Sequence, residues 1–102
     1  MTEVRVDFTE AEDHPALPGH FPGQPVVPGV VLLARVHQLA RQRLDFAPGA
    51  TRWQRIKFLG PVLPGQPCSM TLTGDRDAFS FVITTSDDRP VARGQCRHVP
   101  LA

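Results

Sequence analysis

The sequence predicts an α+β domain in which one long apolar helix lies against, or is wrapped by, a curved antiparallel sheet. Three observations predict it: one stretch with helical spacing, Pro28 to Leu44, one alternating strand before it, and several alternating segments divided by turn residues after it. The 102 residues are read as a single domain, 1–102. A chain of this size buries roughly 60 to 70% of its unfolded surface, so a partner chain would help its core.

Val4, Val6 and Phe8 alternate with Arg5, Asp7 and Thr9, the period of a strand with one buried face. The segment that follows, TEAEDHPALPGHFPGQPVVPG, holds five prolines and three glycines, too many for a regular element. Structureless loops of that length tend to be functional. Pro28 suits the first helical position, where a missing N–H costs nothing. Val30, Val31, Leu32 and Leu33 continue with no polar face, which predicts a helix start buried all round. Further on, Val36, Leu39, Ala40 and Leu44 keep the helical spacing while Arg35, Gln38, Arg41 and Gln42 form the wet side. The helix ends before Ala47-Pro48-Gly49.

Trp53, Ile56 and Phe58 mark the next strand, which stops at Gly60-Pro61. Cys68, Met70 and Leu72 alternate with Ser69, Thr71 and Thr73 in another. Gly74 to Asp77 reads as a turn, Phe79 to Thr85 as a strand, Asp87 to Pro90 as a turn and Val91 to Val99 as the last strand.

Composition excludes several functions. The formal net charge is +1 with both signs scattered along the chain, which gives no reason to expect nucleic acid or an anionic membrane as partner. The N-terminus lacks the basic start and apolar run of a signal peptide, and the longest apolar run, Val26 to Ala34, is too short to span a bilayer. Cys68 and Cys96 form no CxxC pair and read as buried, reduced thiols, which agrees with a cytoplasmic protein. The four histidines show no zinc-ligand spacing, so no metal is expected.

His20 to Val30, HFPGQPVVPGV, resembles the HFPGxPxxPGV signature of the hot-dog-fold (3R)-hydroxyacyl-acyl-carrier-protein dehydratases, and is most similar to the short dehydratase-like proteins of aryl-polyene pigment clusters. IKFLGPVLPGQ, 56 to 66, is similar to the strand and turn that follow the central helix in that family. The resemblance implies a hot-dog fold, a dimer with active sites at its interface, an acyl chain carried on the phosphopantetheine arm of an acyl carrier protein, and no cofactor. It also implies a lyase of fatty-acid or aryl-polyene biosynthesis acting on 3-hydroxyacyl thioesters.

The chemistry can be assigned residue by residue. Dehydration needs a base for the proton beside the carbonyl, donors for the developing enolate oxygen and an acid for the departing hydroxyl. His20 suits the role of base, because imidazole titrates near neutral pH and Phe21 and the adjacent prolines shield it from water. Gly29 and Val30 suit the role of donors, because first-turn N–H groups lack intrahelical partners and the helix dipole favours negative charge there. Glycine at 29 also allows a thioester carbonyl to approach. His14 lies in the same loop without the Phe-Pro-Gly context and reads as a loop hydrogen-bonding residue. His37 and His98 read as ordinary surface or interface residues.

The acid has no residue to fill it. The family's helix carboxylate, fourteen residues after the loop histidine, falls on Ala34, and the helix holds no Asp or Glu from Pro28 to Leu44. Loss of a general acid costs about a hundred- to ten-thousandfold in rate. Three readings follow: Gln38, with His37 or a water, acts as a substitute donor; the chain binds carrier-protein thioesters as the non-catalytic half of a heterodimer with a dehydratase paralogue; or it is an acyl thioesterase needing only the polarised carbonyl. A homodimer and a non-catalytic scaffold that docks the carrier protein also stay open. Arg35, Arg41 and Arg43 read first as a solvated helix face, and second as a surface for an acidic carrier.

Overall fold

The computed structural model describes residues 1–11 and 26–100. Six elements follow in order: β1 (Thr2–Phe8), α1 (Gly29–Arg43), β2 (Thr51–Phe58), β3 (Cys68–Gly74), β4 (Ala78–Thr85) and β5 (Pro90–His98). The strands form one antiparallel sheet in the order β1-β3-β4-β5-β2, which puts β1 and β2 at its edges.

Register aligns the predicted alternation into rows that run across the sheet. Val6 faces Met70, Met70 faces Ile83 and Ile83 faces Ala92, while Val4, Leu72, Phe81 and Gly94 form the next row. Met70, Ile83, Ala92, Leu72 and Phe81 join the stripe Leu32, Val36, Leu39 and Ala40 of α1 in one buried cluster, against which the half-buried Val4 and Val6 pack. Phe46, Phe79, Trp53 and Phe81 link through edge-to-face contacts at centroid distances of 4.9, 6.4 and 6.1 Å.

Strict alternation cannot explain β2, because Trp53 and Ile56 are three residues apart and both pack against the core. The sheet resolves this with a bulge: pairing with β5 jumps from Gln54–Gln95 to Lys57–Arg93, and Arg55 takes a positive φ of 55°. Ile56 then turns inward, and Gly94 makes room for it, since a Cβ there would overlap Ile56 Cδ1.

Two expectations change. The helix begins one residue later than predicted, with Pro28 at its N-cap. Its first turn is also not buried all round, for Val30 is 75% exposed. Positions 30, 34 and 38 lie one turn apart on the side opposite the sheet-facing stripe, so apolar character at Val30 does not bring burial within this chain. Phe58, Leu59 and Leu63 are exposed large hydrophobics as well. No helix among the described residues is long and apolar enough to cross a membrane.

The scattered charges of the sequence are sorted by the sheet. Arg52 faces Arg97 and Lys57 faces Arg93 across β2 and β5, all exposed. Glu3 and Asp7 lie on the opposite edge strand, β1, where they accept hydrogen bonds from Thr73 and Ser69 of β3.

Candidate functional site

The described residues frame the proline-rich loop from both sides. The Gly65 N–H donates to the Glu10 carbonyl at 2.8 Å, and the Val27 N–H donates to the Val62 carbonyl at 2.8 Å. The connector between β2 and β3 therefore holds both flanks of the segment 12–25. His14, His20 and Phe21 fall within that segment and lie outside the described residues.

From Val27 the chain enters α1. The Pro28 carbonyl accepts from the N–H groups of Val31 and Leu32 at 3.0 and 3.2 Å, and no side chain caps this end. Gly29 and Val30 thus occupy the first turn, where N–H groups precede any helical acceptor. The space above Gly29 is used by the protein itself: the Phe58 ring lies over it, and a Cβ at Gly29 would stand 2.7 Å from Phe58 Cζ. Close packing of β2 on the helix start accounts for this glycine.

Val30, Ala34 and Gln38 form the outer face of the helix. Together with Val31, Arg35 and Glu10 they line a cleft of about 270 Å³. The structure thus brings Ala34, the position to which the sequence resemblance assigns the family's carboxylate, together with Val30 and Gln38. It adds Glu10 and Arg35, which the sequence does not mark as site residues.

Glu10 lies just past β1 and is 2% exposed. Burying a carboxylate costs several kcal/mol unless it is paired and hydrogen-bonded, and Arg35 meets that need. Arg35 Nε donates to Glu10 Oε1 at 2.8 Å and Nη2 donates to Oε2 at 3.2 Å, so both oxygens are engaged by one guanidinium. The hydrogen bond from Arg35 to Glu10 raises the Arg35 pKa despite the opposing effect of burial. Arg35 is therefore not the freely solvated cation that its sequence context suggests. Arg41 and Arg43 are exposed in the last turn, where positive charge suits the helix dipole.

Arg35 also reaches Gln38, its Nη1 donating to Gln38 Oε1 at 2.9 Å. Glu10 escapes sequence reasoning because it falls at the head of the proline-rich loop. A signal is present nonetheless: the inward alternation Val4, Val6, Phe8 continues to position 10, and a carboxylate there demands a cationic partner. Nothing in the sequence names Arg35, 25 residues away.

Elsewhere, His37 packs edge-on against Phe46 at 5.8 Å. His98 Nδ1 is buried without a hydrogen-bond partner among the described residues. Cys68 and Cys96 are free and buried, as expected. Burial pushes the Cys96 thiol up to about 11, and burial followed by the charge of Glu10 raises that of Cys68.

A family model for ApeI-like proteins (ApeI dehydratase) matches residues 1–95. The chain is 31% identical over 106 aligned positions to the 3-hydroxyacyl-[acyl-carrier-protein] dehydratase FabZ of Haemophilus influenzae strain PittEE, covering 81% of this chain and 72% of that enzyme. With FabZ of Oenococcus oeni it shares 35% identity over 65 residues, which cover 57% of this chain and about half, 47%, of that enzyme. Among solved structures it resembles the dehydratase heterocomplex ApeI:P from Xenorhabdus doucetiae, with a TM-score of 0.81 and 23% identity over 93% of this chain and 85% of that one. The helix and five-stranded sheet are a hot-dog fold, as the sequence resemblance implied.

Proposed function

The chain belongs to the ApeI-like dehydratase family, and from that membership we propose that it is a carrier-protein-dependent, acyl-thioester-binding subunit that does not dehydrate alone and works beside a carboxylate-bearing paralogue. One observation carries this reading. The cleft at Ala34 contains a single carboxylate among the described residues, Glu10, and both of its oxygens are engaged by Arg35.

With each oxygen already accepting from the guanidinium, this carboxyl is turned to Arg35 and not to a departing hydroxyl. His20, in the HFPG segment, remains the base of the site in this reading, and the first-turn N–H groups of Gly29 and Val30 polarise the thioester carbonyl. Among the described residues no other carboxylate lines the cleft to serve the 3-hydroxyl, so in this reading the acid comes from a partner chain.

Pairing with a second hot-dog chain supplies it and agrees with the exposed Val30, Phe58, Leu59 and Leu63, which belong to the start of α1, the end of β2 and the connector after it. The ApeI:P heterocomplex, a dehydratase of the same fold, is a precedent for such a pair. The protein acts in the cytoplasm on acyl groups delivered by carrier protein, in fatty-acid or aryl-polyene synthesis.

The test offers 3-hydroxyacyl, enoyl and saturated acyl-carrier-protein thioesters to the purified chain, alone and mixed with a paralogue that retains the carboxylate, and follows the acyl mass. Binding without turnover alone, with dehydration in the mixture, is the expected result. Dehydration by the chain alone removes the need for a partner, and hydrolysis of all three thioesters identifies a thioesterase.

A further inference from the structure

Where the family's carboxylate would stand, this chain presents a built set of hydrogen-bond donors. Arginine has five N–H groups and no acceptor. Among the described residues two of the five are committed to Glu10 and one to Gln38 Oε1, which leaves one on each terminal nitrogen.

The same contact settles which way the Gln38 amide points. Only its oxygen can face a guanidinium, so its NH₂ must turn away from Arg35. Ala34, one turn before Gln38, contributes nothing beyond a methyl group, and all three side chains line the same cleft.

Glu10 makes the arrangement rigid. It is buried and tied by its backbone to Gly65, and it grips the fork of Arg35 through both carboxylate oxygens. The ion pair also cancels most of the net charge at the cleft. Such a site favours a neutral acceptor oxygen over an anion.

We propose that Arg35 and Gln38, positioned by Glu10, form a donor site that reads an oxygen on the acyl chain at the third carbon, a hydroxyl or a carbonyl, in place of the acid that would have protonated it. This rests on the thioester-binding reading and deepens it. A dehydratase subunit with this site retains the oxygenated acyl group and discriminates against the fully reduced one, without expelling the oxygen. Glu10 is a positioning residue, and Arg35 and Gln38 are the contacts.

The test measures calorimetric binding of three acyl-carrier-protein thioesters of equal chain length, 3-hydroxyhexanoyl, 3-oxohexanoyl and hexanoyl, to the full chain. The native chain is expected to bind both oxygenated thioesters about tenfold more tightly than hexanoyl, the scale of one good hydrogen bond to a charged donor. In Gln38→Leu, a surface change that leaves the Glu10–Arg35 pair intact, that ratio falls severalfold. Arg35→Lys keeps the positive charge but loses the fork, so the ratio falls there too, as it does in Glu10→Gln.

Equal binding of all three by the native chain overturns the donor site while leaving thioester binding in place. An undiminished ratio in Gln38→Leu and Arg35→Lys overturns it as well. Failure of every thioester to bind overturns both the donor site and the reading on which it rests.

Discussion

Phe58 lies across Gly29, so near that a methyl group there would stand 2.7 Å from the ring's Cζ and 3.0 Å from Cε2. The contact joins the end of β2 to the start of α1 and sets where the helix begins relative to the sheet. Gly29→Ala has opposing effects: alanine favours helix by up to about 1 kcal/mol, whereas overpacking costs about 1–3 kcal/mol. Net destabilisation is expected in urea unfolding. In a Phe58→Ala background the clash is gone, and the same substitution becomes neutral or stabilising.

Ala34→Glu places a carboxylate back on the helix face that lines the cleft. If His20 is the base and only the acid is missing, turnover of a 3-hydroxyacyl carrier-protein thioester by the chain alone should rise about a hundredfold or more, the range one general acid supplies. The acyl mass assay reads this directly. A folded variant with no gain argues against Ala34 as the acid position.

Cys96 is buried in the core, and burial holds its thiol near 11, pushed up to about 11 from the ordinary 9.0. The thiolate is the reactive form, so neither this thiol nor Cys68 should be alkylated by iodoacetamide at pH 8 in the folded protein. In denaturant both should react fully. Intact-mass spectra before and after unfolding check it, and rapid native labelling would show that this region opens easily.

Asp75 accepts hydrogen bonds from the Asp77 and Ala78 N–H groups at 2.8 and 3.1 Å, which closes the β3–β4 turn. These bonds lower its pKa below the ordinary 3.8. A carboxyl depressed in the folded state stabilises above its unfolded value, and that contribution is lost as the pH falls through 3.8 towards the folded value. Asp87, lowered by the Thr85 hydroxyl, acts in the same direction. Asp75→Asn keeps the acceptor oxygen without the titration, so its urea midpoint should fall less between pH 7 and pH 3 than that of the native chain.

Elements made of local pattern are legible in the sequence. Val4, Val6 and Phe8, the spacing from Leu32 to Leu44 and the turns at 74–77 and 87–90 each declare themselves within a few residues, because side-chain period and turn chemistry are local properties. The HFPGQPVVPGV segment carries the family, and the absence of an acid from Pro28 to Leu44 is a plain fact of composition.

Residues far apart in the chain give up their roles only on folding. Gly29 owes its identity to Phe58 and Gly94 to Ile56, contacts that no local pattern announces. Val30 has the apolar character of a buried residue, yet apolarity says nothing of which side of a helix the sheet will cover. Glu10 and Arg35 have the sequence context of solvated charges, and in the fold they become an ion pair that orients Gln38. Pattern and composition were enough for the elements and the family. That a clamped arginine and an outward-turned amide stand beside Ala34 was decided by the fold, since an ion pair between residues this far apart in sequence forms only when folding brings its two halves together.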